Sequence, residues 1–551
     1  MTVEDYGKQL LTRNDPFDCK ALATIIQHGC DFSTILNYLQ KYGKTTVGAD
    51  ISMTILLEAG SWHVLFFAIE RNCPECVRAL LDYGTKPNTR MFDGSIPAVA
   101  FAIMLIKWTT SDSTNVVKTL LEYGTDPIVV PKDLWAEYLE VPQAKPQKGL
   151  KLDWAAQWCK PEYRSLLVDT MHLGHRYSFF RASLQGQSTT RKNQMAEAHK
   201  INALFHIPHR IVGQGPATKI IMDQVFAEFV YNNLTPLVMV FAGPPGHGKT
   251  ELSKQMGDLL SVQTMVIDCA QVRNKWQLFG ATAGYQRSRE GSPLNNFLSR
   301  NDGERCAVFL DEFDKTVGEV WQALLRVCES GSYIDRTTNT SIDCSKVIWI
   351  LASNLGHMAI QKFYSKKMEH QNDRNRYDVP VDPLQKTLRG IFKSKWSSPF
   401  VSRIRVIVPF FPFSPGEQAV IFHEQLLAFA NDIRRPIDIR PEVKRYIGHC
   451  HLAAPQSTEI SKHIASLYYD RELGARAYLA IDDIKVKLLR AQNEVDRKVT
   501  ERTNDGPLQR YTCQLHAGDD NEEYVELVAD GSTEFRDQKC KGALFFSNDT
   551  V

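Results

Sequence analysis

Leu237-Val238-Met239-Val240-Phe241-Ala242-Gly243-Pro244-Pro245-Gly246-His247-Gly248-Lys249-Thr250 joins an apolar run to a glycine-rich loop ending in Lys-Thr. The run from Leu237 to Phe241 predicts a buried strand, and a helix opens near Thr250. Gly243, Pro244, Pro245, Gly246, His247, Gly248, Lys249 and Thr250 fit the phosphate-loop pattern G-x-x-x-x-G-K-[ST]. Gly243, Gly246 and Gly248 let the backbone turn its N–H groups toward phosphate oxygens, where a Cβ would intrude. The helix that follows adds its positive dipole end. Lys249 can reach the β- and γ-phosphates of a bound triphosphate, and the Thr250 hydroxyl can ligate Mg²⁺.

From about residue 205, apolar runs alternate with helical patterns. Strands are expected at Leu237–Phe241, Gln263–Asp268, Ala307–Leu310, Lys346–Leu351 and around Ile404–Val408. Helices are expected at Glu251–Leu260 and Val317–Cys328, with Ser292-Pro293 as the cap and first turn of another. The pattern implies an α/β fold, a parallel sheet between helices with ligand chemistry at the carboxyl ends of its strands. Asp311 and Glu312 follow the run Val308-Phe309-Leu310 and are placed at such an end. Asp311 can hold the Mg²⁺ shell, and Glu312 can polarise a water for attack on the γ-phosphate. Asn354 closes another run, Ile350-Leu351-Ala352-Ser353, and can bond that water or the γ-phosphate; such an Asn is also a common turn residue.

The composition sets limits. A chain of 551 residues holds about three domains. Its net charge is +2, with both signs evenly mixed, so the concentrated basic surface of a nucleic-acid remodeller is missing. Twelve scattered cysteines suggest free thiols in a reducing compartment. Cys73-Pro74-Glu75-Cys76 lacks a second ligand pair and sits in a helical pattern, which favours a structural role. No apolar stretch approaches a bilayer span of about 20 residues, so no membrane partner is expected. The first residues, Met1-Thr2-Val3-Glu4-Asp5, read as neither signal nor transit peptide, and a cytoplasmic location is expected.

Residues 1–135 contain a repeat. Arg78-Ala79-Leu80-Leu81-Asp82-Tyr83-Gly84-Thr85 returns as Lys118-Thr119-Leu120-Leu121-Glu122-Tyr123-Gly124-Thr125, and Ala23 to Asp31 forms a degenerate third copy. Each is a helix end with a glycine at the C′ position. Trp62 to Arg71 supplies a preceding helix. This region resembles ankyrin repeats, in which stacked helix pairs bury one continuous core. Gly84 and Gly124 are farther apart than the standard repeat, and an insertion near Trp108–Ser113 accounts for the difference. The alternative is an ordinary helical domain with two similar helices. The resemblance implies a docking surface for a protein partner or substrate. Residues 136–204 read as a connector, broken at Val141–Pro146 and polar from Ser183 to Thr190, with a helix or two expected between Leu150 and Met171.

Residues 205 to about 500 resemble a AAA+ ATPase of the Clp class, closest to the second ATPase module of ClpB-type disaggregases. Ile211-Val212-Gly213-Gln214 matches the element whose apolar side chains, Ile211 and Val212, flank the adenine. Leu278-Phe279-Gly280-Ala281-Thr282-Ala283-Gly284-Tyr285 matches the segment leading to the pore-loop aromatic, and Ala352-Ser353-Asn354 the first sensor. Repeats joined to one such module also resemble the ankyrin-bearing ClpB homologues. Pro399-Phe400-Val401-Ser402-Arg403 matches the arginine-finger pattern, which implies that Arg403 reaches a neighbouring subunit's nucleotide. Leu473-Gly474-Ala475-Arg476 matches the second sensor, which implies that Arg476 touches phosphate within its own subunit. Two departures stand out. Tyr285 precedes Gln286-Arg287 where the family commonly has Val-Gly, and Pro399 replaces a Glu.

The expected organisation is a repeat domain (1–135), a connector (136–204) and a large ATPase subdomain (205–410). A small helical subdomain (411–500) and a C-terminal β element and tail (501–551) follow. The expected function is an ATP-driven protein remodeller, a homo-oligomeric and hexameric ring acting on protein clients recruited by the repeats. The alternative is an ATP-controlled assembly switch or scaffold that binds its partner without threading.

Overall fold

The computed structural model describes residues 2–530, except 13, 52–53, 58–59, 92–95, 110, 146–153, 187, 232–234, 281–290, 336, 475–477, 497–507 and 518–522. It divides into two units. One unit is Gly186–Gln418 with Tyr468–Ala477. Its centre is a parallel sheet of five strands in the order Gln263–Asp268, Cys306–Asp311, Ile348–Ser353, Leu237–Ala242, Val406–Pro409. All five expected strands are present, four of them with shifts of one or two residues at an end.

Helices cover both faces of this sheet, so its central strands need apolar side chains in both directions. Val238, Val240, Val308, Leu310, Trp349 and Leu351 face one core. Met239, Phe241, Ala307, Phe309, Ile348 and Ile350 face the other. That is why these strands read as unbroken apolar runs. The register sets Ala242 beside Ser353 and Asp268 beside Asp311, so the chemistry-bearing carboxyl ends line one edge. The expected helices follow, at Lys249–Leu260, Pro293–Arg300 and Gly318–Ser330. Ser292 caps the second of these by accepting the Asn295 N–H at 3.1 Å.

The other unit is Met1–Gln185 with Ala419–Leu467 and Tyr478–Val551. The three repeated segments end the helices Cys19–Gln27, Pro74–Asp82 and Thr114–Glu122 in one way. Gly29, Gly84 and Gly124 take φ of 83°, 105° and 92°. The next residues, Cys30, Thr85 and Thr125, donate N–H bonds back to Ile25, Leu80 and Leu120. Cys73 caps the second helix, accepting the Cys76 N–H on its sulfur at 3.4 Å. The cysteines among the described residues are free thiols.

The stretch read as a connector is folded. Helices run at Pro161–Thr170 and Leu173–Leu184 in this unit, and at Thr190–Ala198 in the sheet-bearing unit. Leu167, Met171 and Phe179 join the same core as the repeated helices. Arg164 is buried, pairs with Asp133, and donates to the carbonyls of Gln143 and Ala144 at 3.0 and 2.9 Å.

Residues 411–500 depart from the all-helical expectation. Between the helices Pro415–Ile433 and Ser457–Tyr468 lies a strand, Cys450–Ala453. It pairs in parallel with Gln509–Ala517, which pairs antiparallel with Glu523–Ala529. Four residues cannot announce a strand when their partner lies far along the chain. The expected C-terminal β element is present in Gln509–Ala517 and Glu523–Ala529; residues 531–551 lie outside the described residues. No helix among the described residues is long and apolar enough to cross a membrane.

Removing one member of a buried ion pair leaves the other uncompensated, at a cost of about 3 kcal/mol or more. Asp133→Ala is therefore expected to lower the urea midpoint of this unit, followed by Trp135 and Trp158 fluorescence. An unchanged midpoint would show that the pair is energetically silent.

Candidate nucleotide site

The loop after Leu237–Ala242 is built by close approach. A Cβ at Gly243 would lie 2.7 Å from the Phe410 carbonyl oxygen, so only glycine fits there. Gly246 and Gly248 take φ of 74° and 89°, the left-handed region that glycine enters without strain. Gly248 caps the helix Lys249–Leu260 without a side-chain bond, leaving the first-turn amides uncovered by any cap.

Lys249 is only 6% exposed. Its ammonium donates to the carbonyls of Gly243 and Pro244 at 2.8 and 2.7 Å and to Asn354 Oδ1 at 3.1 Å. Neutral oxygens that accept from a buried cation offset its charge less than an anion does, which favours an anion beside it. Thr250 Oγ1 donates to Asp311 Oδ2 at 2.9 Å, bringing the two expected Mg²⁺-shell groups together. These residues fit a magnesium nucleoside triphosphate: the glycines would hold the phosphates, Lys249 their charge, and Thr250 with Asp311 the ion.

Glu312 adopts φ 51°, and its carboxylate pairs with Lys315 at 2.6 Å. Asp314, which the motif reading passed over, accepts the backbone N–H of Asn354 at 3.0 Å and so anchors that residue. Ile211 is buried, and its side chain lies 2.7 Å from where a Cβ on Gly248 would be; Val212 beside it is half-buried. Gln214 fastens the segment by donating to Phe411 O at 2.8 Å and accepting its N–H at 2.9 Å. A capping box opens the helix Pro415–Ile433: Ser414 Oγ accepts the Glu417 N–H at 3.0 Å and Glu417 accepts the Ser414 N–H at 2.8 Å.

The segment matched to the second sensor meets the loop through its backbone. Tyr468–Ala477 belongs to this unit, and the Leu473–Gly474 backbone lies directly on Gly246. A Cβ on Gly246 would collide with the Leu473 carbonyl oxygen, and one on Gly474 would be 2.6 Å from Gly246 O. His247 completes the closure. Its ring stacks on Phe413 at 5.3 Å, Nδ1 bonds Pro245 O at 2.7 Å, and Nε2 meets the Tyr469 hydroxyl at 3.2 Å. Burial, aided by the Lys249 charge, brings His247 down to about 4.

Arg403 is exposed and pairs with Glu329. Arg476 and Tyr285 lie outside the described residues.

Residues 236–395 match the family model described as AAA domain (Cdc48 subfamily). Chaperone protein ClpB of Chlamydia pneumoniae is 29% identical over 248 residues, 43% of this chain and 27% of the relative. ClpB of Chlamydia caviae is 31% identical over 228 residues, 40% of this chain and 25% of the relative. The chain thus spans about a quarter of the length of these curated relatives. Among solved structures, the S. cerevisiae Hsp104:casein complex in its extended conformation is 20% identical with a TM-score of 0.42. That likeness covers 63% of this chain and 54% of the other and carries no functional weight. The similarity therefore rests on the nucleotide module, which is similar in sequence to AAA+ modules of the Clp class.

Gly246→Ala is expected to weaken nucleotide binding about tenfold or more, because overpacking there must displace backbone; unchanged affinity by calorimetry would show that the Leu473 contact yields freely. Protonation supplies a second check. A histidine held at about 4 in the fold and near 6.5 when exposed binds more protons once the loop opens. Its contribution to closure is full above pH 6.5 and is lost as pH falls toward 4. Hydrogen exchange at Gly246–Lys249 is expected to show this slope, and His247→Phe to flatten it.

Proposed function

We propose that this protein is an ATP-dependent protein remodeller that hydrolyses ATP and acts on protein clients. The observation carrying this reading is the convergence of Lys249, Thr250, Asp311 and Asn354 at the carboxyl edge of the sheet. Similarity of this module to the ClpB chaperones supplies the client class.

In this reading Lys249 exchanges its loop carbonyls for phosphate oxygens. Thr250 and Asp311 hold the Mg²⁺, which supplies charge neutralisation at the phosphates. Ile211 and Val212 shelter the base. Glu312 leaves Lys315 and takes the proton of the attacking water, while Asn354, anchored through Asp314, orients that water. Arg403, exposed and displaceable from Glu329, serves a neighbouring subunit's nucleotide in a hexameric ring, and Arg476 acts within its own subunit. Ankyrin-type repeats in residues 1–135 recruit the partner, and Tyr285 grips the client.

Glu312→Gln is expected to bind ATP with near-normal affinity and to hydrolyse it about 100-fold more slowly or worse. Full activity in that variant would remove Glu312 from the chemistry. Tyr285→Ala separates remodelling from an assembly switch. Loss of client unfolding with ATPase retained supports threading, whereas unaltered client handling supports the switch, a reading favoured by the polar residues Gln286 and Arg287.

A further inference from the structure

Three imidazoles and a carboxylate from distant parts of the chain meet inside the unit that holds the repeated helices. Asp112 precedes the helix Thr114–Glu122, His172 and His175 open the helix Leu173–Leu184, and His423 lies in Pro415–Ile433. All four belong to that one unit. The helix spacing i, i+3 places His172 and His175 on one face. Their rings stack at 3.7 Å, and His172 lies 4.9 Å from His423. The ion pair of Lys118 with Glu424 ties two of the contributing helices together beside the cluster.

The donor atoms are gathered and oriented. One ligand atom from each of Asp112, His172 and His175 lies within 4.8 Å of the others. Asp112 Oδ1 is 3.1 Å from His172 Nε2 and is held by the N–H and hydroxyl of Thr114 at 3.0 and 2.6 Å. The Thr114 hydroxyl also lies 3.3 Å from His172 Nε2, and Ser113 Oγ lies 3.3 Å from His175 Nε2. His172 Nδ1 meets His423 Nε2 at 3.0 Å, the arrangement by which a partner fixes the tautomer and aim of a ligating imidazole.

Protons alone do not satisfy this cluster. His175 is 0% and His423 2% exposed, yet Nδ1 of each has no hydrogen-bond partner. The fully buried nitrogen left over on His175, a member of the three-residue donor group, calls for an occupant that hydrogen bonding does not supply. The cluster is also reachable: the side chains of Asp112 and His172 keep 13% and 17% exposure.

We propose that Asp112, His172 and His175 form a binding site for a divalent metal ion of the zinc class, with His423 as the outer partner of His172. Two imidazoles and one carboxylate suit zinc or cobalt rather than magnesium or calcium, which prefer all-oxygen shells. Three protein ligands leave one position for water. Such an ion would staple together segments of this unit that are far apart in sequence.

The test uses the full chain, stripped with chelator, in excess Mg²⁺ and without nucleotide. Zinc chloride is expected to bind one equivalent and to raise the unfolding temperature. Cobalt chloride is expected to give the visible bands of a four- or five-coordinate ion without thiolate charge transfer. His172→Gln and His175→Gln should abolish this binding, Asp112→Asn should weaken it, and His423→Gln should weaken it about 10–100-fold. Each variant is compared with wild type in chelator, where circular dichroism and unfolding temperature report its fold. Absence of zinc or cobalt binding by the wild-type chain overturns the proposal, whatever the variants do. So does binding that survives His172→Gln or His175→Gln, which would assign the metal to the cysteines or the nucleotide loop.

Discussion

A lysine ammonium buried at the end of a parallel sheet is the constraint on which the nucleotide unit depends. Lys249 cannot stay charged inside the protein unless oxygens surround it. The strand Leu237–Ala242 delivers two of them through the turn at Gly243 and Pro244, and its neighbour Ile348–Ser353 delivers the third through Asn354. That arrangement requires the two strands to be adjacent and parallel, and to end together. The alternating cores on the two faces fix their register, because a slip of one residue would turn Val240 and Leu351 toward the wrong layer. Packing of apolar side chains thus decides where one charge can be tolerated, and that charge decides what the site can bind.

Closure of the site obeys a different constraint, the absence of side chains. Gly246 admits the backbone of Leu473–Gly474, and His247 uses the remaining space to join Phe413 and Tyr469. Three separated segments therefore meet at one turn of the loop. In the other unit, glycines do simpler work. Gly29, Gly84 and Gly124 end helices in the left-handed conformation, and the repeated apolar pairs before them feed one core.

Legibility followed locality. Four of the five strands could be read because both of their faces are buried, which writes the burial directly into consecutive residues; Gln263–Asp268, at the sheet edge, is only partly buried. The phosphate loop, Asp311 and Asn354 could be read because each follows its own strand immediately. Cys450–Ala453 could not, since its strand partner begins at Gln509. Tyr469, Phe413 and the Leu473 carbonyl gave no sign of meeting His247 and Gly246, for nothing in an aromatic residue or a peptide group announces a partner hundreds of positions away. Within 136–204 the helix Pro161–Thr170 lies where one was expected, whereas Leu173–Leu184 was obscured by its polar flank, although Leu167 and Phe179 belong to the main helical core.

By itself, then, the amino-acid sequence determined the strand–loop–helix that cradles phosphate, the acidic and amide groups that attend it, and the repeated helix ends. These are short-range features, set by backbone sterics and the alternation of burial. Tertiary structure alone decided that Lys249 would be buried against Asn354, that Leu473–Gly474 would close on Gly246, and that Asp112, His172, His175 and His423 would share one interior. Those meetings depend on chain segments brought together by packing, and no local spacing encodes them.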